Sequence, residues 1–172
     1  MKNLFLIRHA KSSWDDVFLA DFERPLNERG HKNAVEMAKR IIERKINVDL
    51  MITSPAKRAL TTANYFKEIL EIEDSKMLVD KNIYEANIFD IDEVLKRVND
   101  EVNNLFLFGH NPTFTYFSNK YSDAQIANIP TCGMVHLTFD AQSWENVLLN
   151  PGKLQFFDFP KNKNWKDTLI EK

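Results

Sequence analysis

Short, nearly continuous apolar runs alternate along this chain with longer stretches in which apolar residues recur every three or four positions. The first pattern belongs to strands covered on both faces and the second to helices packed on them, so the alternation predicts an α/β domain around a mainly parallel sheet. Six runs predict strands: Leu4–Ile7, Leu50–Thr53, Lys76–Val79, Leu105–Phe108, Met134–Phe139 and Leu154–Phe159. The first and fourth are apolar throughout and are expected at the sheet centre. Ala34, Val35, Ala38, Ile41 and Ile42 fall at helical spacing behind Asn27, a good N-cap, which predicts a helix from about Glu28 to Lys45. Ser54 as cap and Pro55 at the first helical position start a second helix. Val94, Leu95 and Val98 predict a third over about Ile91–Val102, and "NPTFTYFSNKY" opens a shorter fourth. The expected architecture is a three-layer sandwich, with a mainly parallel central sheet of about six strands and helices on both faces.

With 172 residues, 44% of them hydrophobic and 12% aromatic, the chain is expected to build one domain with a substantial core. No repeat, low-complexity tract or Pro/Gly-rich linker divides it, and the polar stretch 161–172 is expected to be a loosely docked tail. A formal charge of −2, with acids and bases mixed, leaves no basic stripe for nucleic acid. The single cysteine, Cys132, excludes an internal disulfide, is expected to pack rather than react, and fits a reducing compartment. No apolar segment approaches the length of a bilayer span and no leader pattern opens the chain, so a cytoplasmic monomer without a membrane partner is expected.

Chemistry gathers just past the predicted strands. In an open parallel sheet, ligands bind beyond the carboxyl ends of the strands, where helix N-termini favour anions. The first strand delivers Arg8 and His9, the second Ser54-Pro55 and, one turn later, Arg58, and the fourth Gly109, His110 and Asn111. Glu85, in "NIYEAN", adds a carboxylate near the same edge. A lone Arg or His at a strand end is ordinarily a solvated surface group. Two arginines and two histidines on one edge repel each other, and their partial burial is costly unless an anion completes them. Guanidinium forks match the oxygens of a phosphoryl group, one imidazole can donate to it, and the other, if neutral, can attack phosphorus. The surrounding positive charge would hold that nucleophile's pKa down and stabilise a charge-rich transition state. Arginines beside each histidine argue against a zinc or di-metal site, so no metal or other cofactor is expected. The chain has no phosphate-binding G-x-x-x-x-G-K-[ST] loop and no G-x-G-x-x-G fingerprint, and "TCGMVHL" lacks the Arg a cysteine phosphatase needs.

The segments "LIRHAKSSW", "TSPAKRALTTA", "YEA" and "FGHNP" together resemble the histidine phosphatase superfamily, the phosphoglycerate-mutase-like fold, and within it the small SixA-type phosphohistidine phosphatases. "RPLNERG", Arg24 to Gly30, looks like that small subgroup, and the likeness runs from about residue 3 to 113. By this resemblance His9 is the nucleophile that becomes phosphorylated and Arg8 and Arg58 clamp the phosphoryl oxygens. His110 hydrogen-bonds the phosphoryl group, and Glu85 falls where many members keep a general acid. A charge partner for Arg8 or Arg58 is the bland alternative for Glu85. Larger members often carry R-H-G-x-S-x-x-N, whereas here Arg8-His9 is followed by Ala10-Lys11-Ser12-Ser13-Trp14-Asp15. Asp15 would repel a phosphate if it pointed inward. Ser12 is a candidate substrate contact, and Lys11 reads as a solvated loop residue.

The chain between Glu85 and His110 suffices for one helix and one strand, with no room for the capping insertion of the mutases, so the site is expected to be open. An open cationic site suits a phosphoryl group presented on a protein surface. The expected function is removal of phosphoryl groups through a phosphohistidine on His9, from phosphohistidine in a protein. The alternatives are a phosphatase of small phosphate esters and a non-catalytic phosphate-binding module. His31 reads as a solvent-facing helix residue, and His136 as facing away from Val135 and Leu137 in its strand. Trp14, Phe18 and Phe22 either cap the site as a loop or simply pack.

Overall fold

The computed structural model describes residues 1–169. One six-stranded sheet is built from β1 (Lys2–Arg8), β2 (Leu50–Thr53), β3 (Met77–Val79), β4 (Asn104–Gly109), β5 (Met134–Phe139) and β6 (Lys153–Asp158), in the order β3-β2-β4-β1-β5-β6. Only β5 runs against the others, so the sheet is mainly parallel, and β1 and β4 are its adjoining central strands.

Alternate residues of the central strands feed two apolar layers, whereas the edge strand β3 leaves Leu78 and Val79 exposed. Phe5, Ile7, Met51, Phe106 and Phe108 face α1 (Glu28–Glu43) and α2 (Lys57–Ile69), meeting Met37, Ile41 and Phe66. Leu4, Leu6, Leu105 and Leu107 face α3 (Ile88–Lys96), α4 (Thr113–Tyr121) and α5 (Trp144–Val147), meeting Ile91, Leu95, Phe117 and Trp144. Strands buried on both faces must be apolar at every position, which is why the alternation expected of a half-exposed strand is missing from β1 and β4.

Three local differences from the expected elements have physical causes. Helix α2 begins at Lys57 rather than directly after Ser54: the Ser54 hydroxyl accepts from the amide only two residues on, Ala56 at 3.2 Å, which makes a turn, and Ala56 is still non-helical before the helix starts. Helix α3 spans Ile88–Lys96 rather than Ile91–Val102: Asn87 caps the amides of Phe89 and Asp90 while Asp90 answers the Asn87 amide at 2.8 Å. Its far end yields to Asn99, whose side chain accepts from the Glu101 amide at 2.8 Å and so offers the backbone a turn instead. Of the expected tail, residues 161–169 are mostly exposed, with one anchored side chain. Trp165 is buried, with Arg40 and Arg44 stacked at 5.0 and 5.3 Å from its ring. The rest of that expected tail, residues 170–172, lies outside the described residues.

The register aligns the strand ends that carry chemistry. Arg8 lies opposite Gly109 and Thr53 opposite Phe108, so His9, Ser54 and His110 leave the sheet side by side. Backbone bonds continue one residue past the strands, His9 N–H to Gly109 O at 3.0 Å and Ser54 N–H to Phe108 O at 2.9 Å, and fix these residues on rigid scaffold. Two glycines permit the close approach. A Cβ on Gly30 would sit 2.1 Å from the Lys11 carbonyl oxygen, against which α1 starts, and one on Gly109 would meet the Phe114 ring at 2.6 Å.

Candidate active site

His9 is buried, and its Nδ1–H donates to the Ala10 carbonyl at 2.8 Å. A carbonyl only accepts, so the proton sits on Nδ1 and Nε2 is unprotonated, with its lone pair available as an acceptor. That lone pair accepts from Nε–H of Arg58 at 3.3 Å. The His110 ring stands beside it, 5.3 Å between centroids. Burial first, then the charges of Arg58 and Arg8, push the His9 pKa down to about 3 and that of His110 to about 4. Both imidazoles are therefore neutral at physiological pH, as a nucleophile and a neutral donor require. Burial carries most of this, with the positive surroundings adding to it.

The Ser54 hydroxyl accepts from Ala56 N–H and meets Nε2 of His110. With Ser54 donating to Nε2, His110 carries its own proton on Nδ1, and that buried nitrogen has no partner among the described residues. Arg8 donates through one terminal nitrogen to Ile129 O at 2.8 Å, while its buried Nε is likewise unpaired. Helix α2 is locked to the loop after β1 by Thr62, which accepts from the Ala10 amide at 3.0 Å and donates to the Arg58 carbonyl at 2.7 Å. The edge therefore holds two guanidiniums and two neutral imidazoles with donors left over, the inventory an oxyanion completes.

The family model of the histidine phosphatase superfamily (branch 1) matches residues 4–107, from within β1 to within β4, with Arg8, His9, Arg58 and Glu85 inside the match and His110 just beyond it. The chain belongs to this superfamily. Phosphatase or mutase chemistry follows from that membership. An uncharacterised chloroplastic protein of Arabidopsis thaliana is 25% identical over 88% of this chain and 73% of its own. A 2,3-bisphosphoglycerate-dependent phosphoglycerate mutase of Bartonella tribocorum is 31% identical over 103 residues, and the chain spans only 48% of that mutase. In fold, the chain is similar to the protein histidine phosphatase SixA complexed with tungstate: TM-score 0.79, 20% identity, 93% of this chain and 98% of that one. A protein of Agrobacterium tumefaciens assigned as phosphohistidine phosphatase SixA gives TM-score 0.75 at 25% identity, over 91% and 97% of the two chains.

In this member of the superfamily, Arg8, His9, Arg58 and His110 come together as expected from the sequence, whereas Ser12 stands apart and Glu85 reaches only the rim on the His110 side. Glu85 is exposed at the rim and lines, with His110 and Asn111, a recess of about 250 Å³. Its φ of 54° lies in the left-handed region, which costs a non-glycine residue about 1–2 kcal/mol. It forms no ion pair with Arg8 or Arg58 among the described residues, so the charge-partner alternative is not realised. Ser12 is buried, with its backbone bridged to Leu26, and its hydroxyl bonds none of the four. Asp15 points into water, and His31 bonds the Tyr65 hydroxyl at 2.8 Å, away from the site. His136 stacks on Phe5 at 4.1 Å, on the side of the sheet opposite Val135 and Leu137. Cys132 is fully buried, and burial raises its thiol pKa.

The carboxylate that does enter is Asp21. One of its oxygens accepts from Arg58 at 3.0 Å and from the Tyr84 hydroxyl at 2.9 Å, and its carbonyl accepts a second Arg58 donor at 2.7 Å. The Asp21 pKa is lowered: burial alone would raise it, but the bonds from Tyr84 and Arg58 outweigh that. Asp21, Tyr84 and the Ser54–His110 contact escaped the sequence reading. Asp21 and Tyr84 belong to no strand end, and the only hint of Asp21 is its place three residues before "RPL".

Proposed function

We propose that this chain is a metal-independent phosphatase that removes the phosphoryl group from phosphohistidine in a protein by way of a phosphohistidine on His9. The unprotonated Nε2 of His9, in a ring oriented by the bond from Nδ1–H to the Ala10 carbonyl, with Arg58 donating to Nε2 and His110 beside it, is the observation that carries this reading. Nε2 attacks phosphorus in line; the P–N bond to the substrate imidazole breaks as the new P–N bond forms. Arg8 and Arg58 hold the equatorial oxygens, and Nδ1–H of His110 donates to one of them. The departing imidazole takes a proton, a role we give to Glu85 on the rim. Water then attacks the phosphoryl group and gives a proton back to Glu85, the bond to His9 breaks, and inorganic phosphate leaves with His9 neutral again. The guanidiniums supply the charge neutralisation that a metal provides in other phosphoryl-transfer sites.

Incubation with a labelled phosphoramidate or aryl phosphate in the presence of chelator is expected to give turnover and acid-labile label in the wild type. His9→Ala is expected to lose both, at least about a thousandfold in rate. Retained turnover in that variant sinks the proposal.

A second reading, hydrolysis of small phosphorylated metabolites, is supported by the 31% identity to a mutase over 103 residues. Relative rates on a histidine-phosphorylated carrier protein and on small sugar phosphates separate the two.

A further inference from the structure

The segment from Trp14 to Phe22, between β1 and α1, leaves Trp14, Val17, Phe18, Leu19 and Phe22 with much of their surface in water. Val17 is 81% exposed and Phe18 96%. Other exposed apolar residues, such as Met1, Ile42, Phe89 and Leu149, are dispersed along the chain, so this concentration is unusual for the molecule. The segment is nonetheless tied down at both sides. Ser13 N–H bonds Pro25 O at 2.8 Å, and the Arg24 guanidinium lies 3.5 Å from the centroid of the Trp14 ring. On its inner side Asp21 grips Arg58 and Tyr84, and Phe22 meets the Tyr84 ring edge-on at 5.2 Å. The result is an arm anchored at the mouth of the catalytic site, with Asp21 turned inward and Val17 and Phe18 turned out.

We propose that residues 14–22 are a docking arm for the folded protein that carries the phosphorylated histidine, with Val17 and Phe18 as its anchors. This rests on the reading of the substrate given above. A small ester that reaches Nε2 of His9 lies behind Asp21 and leaves Phe18 in water, whereas a protein surface delivering its phosphohistidine to the same atom meets the outer side of the arm. The arm also carries Asp15 and Asp16, both exposed, beside its apolar anchors. The matching partner face is therefore apolar and rimmed by lysine or arginine. The same carboxylates disfavour an anionic membrane, and they disfavour a second copy of this chain meeting arm to arm.

The test is the double variant Val17→Ser/Phe18→Ser, assayed on a folded carrier protein phosphorylated on a surface histidine, on free phosphohistidine and on p-nitrophenyl phosphate. The expected result is a tenfold or larger fall in kcat/KM on the phosphoprotein, carried by KM, with less than twofold change on both small substrates. Charge reversal, Asp15→Lys/Asp16→Lys, is expected to weaken the phosphoprotein reaction alone and to flatten its salt dependence. A wild type that turns over the phosphoprotein no faster than the double variant overturns the arm while leaving the substrate reading intact. An equal fall on all three substrates also overturns it, since that reports a damaged site. Hydrolysis of p-nitrophenyl phosphate without any phosphoprotein turnover in the wild type defeats the substrate reading and the arm with it. A dimer in light scattering that the double variant dissolves assigns the arm to self-association and overturns the proposal.

Discussion

Two buried arginine clusters lie two strands apart on this sheet, and they are completed in opposite ways. At the end of β6, Asp158 is fully buried and accepts from Arg40 at 2.7 Å, from Arg44 at 3.1 Å and from the Phe159 amide at 2.8 Å. Phe156 and Trp165 cover the Arg44 guanidinium at 3.9 and 5.3 Å, over its one unpaired nitrogen, Nε. At the end of β1, by contrast, Arg58 meets a carboxylate from a loop, Asp21, whose side chain is 51% exposed. Among the described residues Arg8 has only a carbonyl as partner, and donors on Arg8 and His110 are left over. The lesson is that burial of cations alone does not mark a site. A strand-borne anion under aromatic cover closes a cluster for good, whereas a loop-borne anion and spare donors leave it open to an incoming oxyanion.

The largest effect should come from breaking the closed cluster. Asp158→Ala strips the counter-charge from two buried guanidiniums and is expected to lower stability by about 3–5 kcal/mol, with kcat per folded molecule within about twofold of wild type. Urea unfolding measures the first and active-site-normalised turnover the second. A loss below about 1 kcal/mol would mean that the two arginines find other partners and that the clusters differ less than their geometry implies.

Next comes the open cluster. Arg58→Lys keeps the charge but removes the fork that reaches His9 and Asp21 together, so kcat/KM should fall about 10²–10³-fold. The urea midpoint should barely move, because the carboxylate released from Arg58 is half in water. Parallel losses of activity and stability would place Arg58 with Arg40 and Arg44 as a structural residue.

How much of this was legible in the sequence depends on the range of the interaction involved. The central strands β1 and β4 were readable because burial on both faces demands unbroken apolar runs, and the grouping of Arg8, His9, Arg58 and His110 because parallel strands bring their carboxyl-end loops to one edge. Asn27 as the cap of α1 is a contact across three residues, and its side chain does accept from the Gly30 amide at 2.8 Å. Ser54 carried the same local signal, yet its hydroxyl also serves His110, a partner 56 positions away. Asp21 meets Arg58 across 37 positions and Tyr84 across 63, from a loop with no periodic pattern. The closed cluster was missed for the same reason: Arg40 and Asp158 lie 118 positions apart and look like ordinary surface charges in the sequence. Local hydrogen bonds and periodicity can be read from a string, but pairings made by the tertiary fold cannot.

Acid probes the two sides of the sheet edge through three histidines. Burial lowers the pKa values of His9 and His136 to about 3 and of His110 to about 4, against an ordinary value of 6.5. As pH falls below 6.5 the unfolded chain takes up these protons first, so stability is lost between about pH 6.5 and pH 3–4 and is fully present above that window. Each histidine contributes a slope of about 1.4 kcal/mol per pH unit inside it. Saturating phosphate, whose charge favours imidazolium at His9 and His110, should flatten this slope. His136, packed between Phe5 and Phe156 away from the site, will not respond, so His136→Phe should remove its share with or without phosphate. Unfolding midpoints measured from pH 7 to 4, with and without phosphate, decide it; a phosphate effect that disappears in His136→Phe would contradict the separation of the two environments.

The smallest effect bears most directly on what distinguishes the clusters. If Asp21 holds the place of an anion, its charge competes with the one that binds, and Asp21→Asn keeps an oxygen for Tyr84 and Arg58 while deleting the charge. Tungstate should then inhibit about fivefold more tightly, a gain of about 1 kcal/mol for two partly solvated anions close together. Because Asp21 is half exposed, salt screens that repulsion, and the gain should shrink as ionic strength rises. Weaker tungstate binding in Asp21→Asn, independent of salt, would mean that Asp21 braces Arg58 as Asp158 braces Arg40. The two clusters would then differ only in exposure, and the openness of the one at the end of β1 would rest on Arg8 and His110 alone.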